Sequence, residues 1–194
     1  MTPHRTATLV DALWPSSTNT LTKQIVLAVA GSLLLTLSAK IQVPFWPVPM
    51  TMQTFAIMVL AAAFGARLGT ATVLLYLAEG AIGLPVFAGT PAKGIGLAYM
   101  MGPTGGYLVG FLAAAMLIGW LAERGWDRSI VRLGAAMFAG HVLVFAFGYA
   151  WLATLIGAEK AWTFGVAPFY AATLFKTALA ALVLPAAWQL VRKG

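Results

Sequence analysis

The sequence contains no cysteine and very little charge. Only 9% of its 194 residues are Asp, Glu, Lys or Arg, whereas soluble domains carry about 25%. The lack of cysteine excludes disulfides, thiolate metal sites and cysteine nucleophiles. Two histidines, five carboxylates and no Walker glycine-lysine loop leave no evident set for hydrolase or metalloprotease chemistry or for Walker-type ATP hydrolysis. We therefore expect a protein that is not an enzyme and that uses no cofactor.

The composition instead predicts an all-α integral membrane protein. Hydrophobic residues make up 61% of the chain, and its length allows about six spans of ~20 residues with short connections. The net charge of +7 comes from cations placed mostly between apolar runs, so the lipid bilayer is the expected partner and nucleic acid is not. We divide the chain into a cytoplasmic N-terminal segment, residues 1–22, and a single six-helix membrane domain, residues 23–194.

Six apolar runs are predicted to span the membrane. Prolines and glycines break the chain between them, most densely where Pro44, Pro47 and Pro49 forbid a regular helix and favour extended backbone. The predicted spans are Gln24–Ala39, Thr51–Phe64, Leu68–Ile82, Tyr107–Ala122, Ile130–Ile156 and Pro168–Leu190.

The distribution of lysine and arginine predicts that both termini are cytoplasmic. With that orientation the inner segments hold eight of these cations and the outer connections hold three, as the positive-inside rule requires. The inner eight are Arg5, Lys23, Arg67, Arg124, Arg128, Arg132, Arg192 and Lys193, and the outer three are Lys40, Lys93 and Lys160. The prediction places the irregular segment between helices 3 and 4 on the outer side.

Glu79 and Lys176 are ionisable residues predicted to lie inside spans, where a charge must face a protein interior or a cavity. Both fall in the outer half, Glu79 with Tyr76 on its face and Lys176 with Thr173 on its face. We expect these two faces and the glycine- and proline-rich segment from Gly83 to Tyr107 to enclose a pocket that opens outward. Lys176 would hold a ligand carboxylate. The alternatives are a structural ion pair between Glu79 and Lys176 and a snorkelling lysine.

Other polar residues have less specific interpretations. His141, in the fifth span, is more simply explained as a packed, hydrogen-bonded histidine than as a proton carrier. Gln53 and Tyr107 belong to the expected pocket, or else they satisfy irregular backbone at the interface. Ala28, Ser32 and Thr36 share one face of the first span, where they either let a partner helix approach closely or pack within the bundle.

Three segments carry a resemblance to a known family. IQVPFWPVPMTMQT (41–54), YLAEGAIGLPVFAG (76–89) and GPTGGYLVGF (102–111) closely resemble the BioY family, the biotin-binding S components of energy-coupling factor (ECF) transporters. The match extends from about Lys23 to Leu184. It implies a six-helix protein of a prokaryotic cytoplasmic membrane that captures biotin from outside. It also implies a transmembrane T component and two ATP-hydrolysing subunits as partners, although some members act without them.

The resemblance also suggests roles for individual residues. Family members commonly carry a Pro-Phe segment followed by Asp-x-x-Lys on the last helix, and PFYAATLFK (168–176) keeps Lys176 but has Thr173 in place of the aspartate. A threonine hydroxyl accepts a ureido hydrogen bond more weakly than a carboxylate does, so Glu79 is the expected charged acceptor. Lys176, helped by Lys93, would hold the biotin carboxylate. Phe87 and Tyr76 would contact the apolar middle of biotin.

The sequence also gives a candidate surface for docking a partner and two possible modes of transport. The resemblance makes the stripe of Ala28, Ser32 and Thr36 a candidate docking face for the T component. The rival to an S component is an autonomous carrier or channel that works without an ATPase. A channel needs a continuous polar path, whereas the ionisable groups of this chain gather in one half of the predicted bundle.

Overall fold

A computed structural model describes residues 6–15 and 20–193, with side chains through residue 191. Arg5 lies outside the described residues, as do the side chains of Arg192 and Lys193. The described chain is almost entirely helical, as expected. Its helices are α1 Leu9–Leu13, α2 Thr20–Lys40, α3 Gln53–Ala81, α4 Gly96–Met100, α5 Gly105–Ala122, α6 Ile130–Ile156, α7 Ala158–Gly165 and α8 Tyr170–Lys193. Short 3-10 turns cover Trp126–Arg128 and Ala167–Phe169, and two strands, β1 Gln42–Val43 and β2 Met50–Thr51, form an antiparallel ribbon.

Five helical segments of the described chain are long and apolar enough to cross a membrane. They are α2, α3, α5, α6 and the run Ala158–Val191, which holds α7 and α8. The sixth predicted span is accounted for by α3, which consists of two helical arms instead of one straight helix. Gly65 has φ 80° and ψ 176°, a conformation that only glycine adopts readily.

The chain reverses at Gly65. A Cβ built on Gly69 would lie 2.9 Å from the Cα of Ala61, although residues eight apart in a straight helix are separated by about 12 Å. The two arms of α3, residues 53–64 and 66–81, therefore lie side by side in opposite directions. They correspond to the predicted second and third spans.

The segment between α6 and α8 differs from the expectation. Residues 158–165 form α7. We expected these residues to be a connection before a span that starts at Pro168. Gly157, with φ 87°, ends α6. Glu159 then lies in the first turn of α7, where a negative charge complements the helix dipole. Pro168 belongs to the following 3-10 turn, so α8 begins at Tyr170.

Helix α5 occupies the middle of the bundle, between the arms of α3 and helix α6. Its glycines permit this close approach. A Cβ on Gly110 would lie 2.7 Å from the Cα of Val144 in α6, and one on Gly119 would lie 2.6 Å from the Cα of Ala66 in α3. Small residues at such positions bring helix backbones together in membrane proteins. Gly110, which belongs to the segment 102–111, thus serves helix packing.

One end of the bundle is covered by irregular chain, and we call it the loop end. It carries the ribbon β1–β2 and the segment 82–104, which includes α4. Lys40, the last residue of α2, fastens this segment. Its Nζ donates to the carbonyls of Pro85 at 2.6 Å and Phe87 at 2.8 Å and to the hydroxyl of Thr90 at 2.9 Å. The Phe87 ring then stacks on Tyr99 at 4.8 Å between centroids.

The opposite end, which we call the terminal end, carries α1 and the turn Trp126–Arg128. The N-terminal segment contacts the bundle there. Thr6 donates its backbone N–H to Glu123 O at 2.9 Å, and Arg128 donates to Ala7 O at 3.3 Å. Leu9 is buried. Residues 6–13 are therefore docked against the membrane domain.

Candidate functional site

A cavity of about 60 Å³ lies beneath the loop end. The ribbon, the segment 82–104, and helices α3, α5, α6 and α8 all contribute to its wall. Its polar lining residues are Thr51, Gln53, Thr54, Thr104, His141, Thr173 and Lys176, and its aromatic ones are Tyr99, Tyr107, Phe111, Phe145 and Phe169. Ligand sites usually measure at least ~300 Å³. A metabolite would therefore require the ribbon, the segment 82–104 or the lining side chains to move outward.

Lys176 brings a positive charge into this cavity. Its residue is 7% exposed, and its Nζ donates to Thr51 O at 2.5 Å and to Thr54 Oγ1 at 3.3 Å. Among residues 6–15 and 20–191, no carboxylate oxygen lies within 4 Å of this ammonium. Burying a charge without an opposite charge is costly. A buried ammonium that is bonded only to neutral groups is well matched to an electron-rich ligand group.

Four of the predicted site residues come together at the cavity: Lys176, Thr173, Gln53 and Tyr107. Thr173 lies one turn before Lys176 on α8. Gln53 is 4% exposed, and its Nε2 has no hydrogen-bond partner among the described residues. Tyr107 uses its hydroxyl to donate to Gly165 O at 2.8 Å. It therefore holds α7 in place and presents its ring to the cavity.

The other four predicted site residues do not line the cavity. Tyr76 and Phe87 form the layer behind it: Tyr76 donates to Val86 O at 3.2 Å and packs edge-on against the Phe87 ring. Lys93 is exposed on the surface. Glu79 accepts a hydrogen bond from Ser32 Oγ of α2. In the described structure Glu79 and Lys176 do not form the ion pair that was one alternative.

The stripe on α2 faces the bundle. Ser32 is completely buried, bonds Glu79 and accepts at its carbonyl from the Thr36 hydroxyl at 3.1 Å. Ala28 and Thr36 are half-buried. Ser32 therefore packs within the bundle, which was one of the two alternatives for the stripe, because its hydroxyl joins α2 to the second arm of α3. A role of this stripe in docking stays a prediction.

Sequence reasoning missed several cavity residues. His141 was expected to be packed and bonded, and its Nδ1 does lie 3.0 Å from Met137 O. Its Nε2, however, has no partner among the described residues, and the residue lines the cavity at 2% exposure. A histidine inside an apolar span was the available indication. Phe145 and Phe169, whose ring centroids are 5.9 Å apart, carried no such indication.

Tyr99 closes the cavity from α4. Burial raises the pKa of its hydroxyl, and a hydrogen bond with Thr104 acts in the opposite direction. The side chain is therefore a neutral phenol at physiological pH. Tyr99 thus adds a polar but uncharged group to the cavity wall.

Comparisons with known proteins agree with this architecture. The model of the family described as the BioY family matches residues 7–193. The chain is 34% identical over 161 residues to a probable biotin transporter BioY of Pyrococcus horikoshii. This alignment covers 83% of this chain and 93% of the relative. The chain is 38% identical over 162 residues to the biotin transporter BioY of Thermotoga maritima, with the same coverage of 83% and 93%.

A solved structure shares the fold. The S-component for biotin from an ECF-type ABC transporter superposes with a TM-score of 0.73, covering 92% of this chain and 96% of that one. At 23% sequence identity, this similarity supports the overall fold described above.

Proposed function

The chain belongs to the BioY family, and we propose that it binds biotin at the loop-end cavity for uptake across the cytoplasmic membrane of a prokaryote. In this proposal it is the substrate-binding S component of an ECF-type transporter. The two relatives described above are named as biotin transporters. The observation that carries the assignment to this cavity is Lys176, a buried cation whose partners among the described residues are neutral.

The chemistry of biotin suits the cavity. Biotin has a carboxylate at one end, a ureido ring at the other and an apolar ring and chain between them. Lys176 offers a charge, Gln53 and Thr173 offer neutral polar groups, and aromatic rings form much of the remaining wall. We propose that Lys176 holds the carboxylate, because that is the only charged group on biotin and the described neighbours of Lys176 supply no anion.

The orientation follows from the positive charges. With both termini cytoplasmic, the loop end faces outward, and the segments that cover the cavity lie on the side from which biotin arrives. We propose a transmembrane T component and two ATPase subunits as partners, as the family resemblance implies, because the solved neighbour is the S-component of an ECF-type ABC transporter. Direct docking through the α2 stripe would involve Ala28 and Thr36, because Ser32 has no exposed surface.

Binding of labelled biotin to the purified protein in detergent tests the proposal. We expect saturable binding and competition by desthiobiotin, which keeps the ureido ring and the carboxylate. Biocytin, in which the carboxylate has become an amide, should compete at least ~30-fold more weakly, as expected for loss of a buried charge-assisted contact. Equal competition by biocytin and biotin would overturn the carboxylate role of Lys176. No binding of biotin to folded protein would overturn the substrate.

Uptake into liposomes separates the S component from the autonomous carrier. We expect protein reconstituted alone to bind biotin without accumulating it, and uptake to need the T component and the ATPases. Accumulation by the protein alone would instead favour the carrier.

A further inference from the structure

His141 is a buried residue whose hydrogen bonds define the chemical state of its ring. It lies on α6, and its Nδ1 is 3.0 Å from Met137 O and 3.2 Å from Thr177 Oγ1. A carbonyl oxygen only accepts hydrogen bonds. We assign the hydrogen to Nδ1, because a bare Nδ1 would turn its lone pair toward this carbonyl oxygen, and Nδ1 then donates to Met137 O.

The other ring nitrogen is consequently a bare acceptor. In a neutral imidazole only one nitrogen carries hydrogen, so Nε2 presents a lone pair. A second proton would add a positive charge near that of Lys176, in a region where the described residues supply no carboxylate. Nε2 is buried and without a partner among the described residues, and His141 lines the cavity. A buried acceptor that is left unpaired costs about 1–3 kcal/mol.

His141 also lies deeper in the bundle than the Lys176 ammonium. A Cβ on the neighbouring Gly140 would lie 2.6 Å from Ile118 Cδ1 and 3.5 Å from Met58 Cε. Met58 is about one turn further into α3 than Thr54, to which Lys176 Nζ donates. The Lys176 ammonium thus lies at the end of the cavity beside the ribbon, which we call the roof. His141 lies at the deeper end of the cavity, which we call the floor.

We propose that His141 Nε2 accepts a hydrogen bond from a ureido N–H of biotin and thereby orients the ligand with its ureido ring at the floor. The inference rests on the proposed function. The two ureido N–H groups are the only donors that biotin offers when its carboxylate is ionised, so the donor to this acceptor is one of these two. The carboxylate then points toward the ribbon, where Lys176 lies.

Three ligands and two variants test the proposal by isothermal titration calorimetry. The ligands are biotin and biotin methylated on one ureido nitrogen, prepared as both regioisomers. His141→Leu keeps the bulk and removes the acceptor, whereas His141→Gln keeps an oxygen acceptor. We expect His141→Leu to bind biotin about 10- to 100-fold more weakly and His141→Gln to retain most of the affinity. Thr154→Val, at an exposed position of the same helix α6 that does not line the cavity, is the control and should bind as well as wild type.

The methylated ligands separate hydrogen bonding from shape. One regioisomer should bind wild type at least ~10-fold more weakly than biotin does. His141→Leu should bind that regioisomer and biotin about equally, because it has no acceptor to lose. An equal loss on methylation in both proteins, or unchanged biotin binding by His141→Leu, would overturn the proposal. If wild type binds no biotin, the proposed function fails, and this inference fails with it.

Nitrogen NMR gives a readout that does not depend on the variants folding. The chain has two histidines, so ¹⁵N-histidine labelling gives a simple spectrum, in which His4→Gln identifies the other residue. The His141 Nε2 resonance should start at the position of an unprotonated nitrogen and move toward the protonated position when biotin binds. A resonance that biotin leaves in place would contradict the proposal.

Discussion

Lys176 and Asp127 are buried charged residues toward opposite ends of the same bundle, and their surroundings differ. Lys176 lines a cavity and donates only to a backbone carbonyl and a threonine hydroxyl. Asp127, 1% exposed at the terminal end, accepts from Trp188 Nε1 at 2.6 Å. The guanidinium of Arg128 lies over the Trp188 ring, 4.5 Å from its centroid. Asp127 thus has a donor on Oδ2 and a cation nearby, while its Oδ1 has no hydrogen-bond partner among the described residues. Lys176 differs because it faces a cavity, where we propose that a ligand supplies an anion.

This difference separates a structural charge from a functional one. Asp127 connects the turn Trp126–Arg128 to α8, so removing its interactions should affect folding first. Lys176 should contribute little to folding, since an ammonium bonded only to neutral groups recovers less of its desolvation cost than a paired one. Variants at the two residues should therefore affect different measurements.

The largest expected effect is the loss of biotin affinity in Lys176→Met. The variant keeps the length of the side chain and removes the charge. We expect its Kd for biotin to rise about 30-fold or more, the usual result of removing a buried charged contact, while its melting temperature stays equal to that of wild type or rises. Lys93→Met, at an exposed lysine of the same end, is the matched control. A comparable loss in Lys93→Met would return that lysine to the binding site.

Lys40→Met is expected to have the next largest effect, on the rate of biotin release. Lys40 Nζ holds the segment 84–90 through the carbonyls of Pro85 and Phe87 and the hydroxyl of Thr90. Releasing a covering segment raises k_off more than it changes k_on. We predict release on the order of tenfold faster, as expected if about one charged hydrogen bond of closure energy is lost, measured by chase with unlabelled biotin. Unchanged release would show that this segment does not cover the bound ligand.

Trp188→Phe should affect stability and leave binding intact. It removes the donor to Asp127 and leaves a buried carboxylate oxygen unpaired, which costs about 1–3 kcal/mol. The measurement is thermal unfolding in detergent alongside biotin affinity. If Trp188→Phe binds biotin more weakly at a temperature where it is fully folded, the two ends of the bundle are coupled. That result would contradict the separate roles of Asp127 and Lys176.

The smallest expected effect concerns pH. Burial raises the pKa of Asp127, while its hydrogen bond with Trp188 and the charge of Arg128 act in the opposite direction. Folding therefore favours the protonated carboxyl, and this contribution to stability declines as pH rises from the unfolded-state pKa, about 3.9, through the folded-state pKa. Asp127→Asn should lose that contribution to the pH dependence. An unchanged profile of melting temperature against pH would contradict the direction of the shift.

Much of the fold could be predicted because helix-breaking residues mark its boundaries. Gly65 separated the two arms of α3, and Ile130–Ile156 was predicted with the bounds that the structure has. Helix α7 was missed because a short helix with charged residues resembles a connection in an apolar chain. The prolines predicted extended backbone, but the pairing of β1 with β2 depends on contacts that local sequence does not reveal.

The site was predicted in part, and the failures have a common cause. Lys176, Thr173, Gln53 and Tyr107 meet at the cavity, as their positions in the outer half suggested. Glu79 does not, because its arm of α3 packs beside α2 and turns the carboxylate toward Ser32. The spacing of polar residues predicts which of them share a helix face, but packing decides what that face contacts.

The most direct test of the comparison is the change in melting temperature that saturating biotin produces in three proteins. Ligand at 100 times its Kd stabilises a folded protein by about 2.7 kcal/mol. At one biotin concentration, 100 times the wild-type Kd, we predict the full rise for wild type and for Asp127→Asn. For Lys176→Met we predict about a third of that rise or less, because a 30-fold weaker Kd leaves a stabilisation of about 0.9 kcal/mol. An equal rise in Lys176→Met would contradict the claim that the cavity around Lys176 is the biotin site.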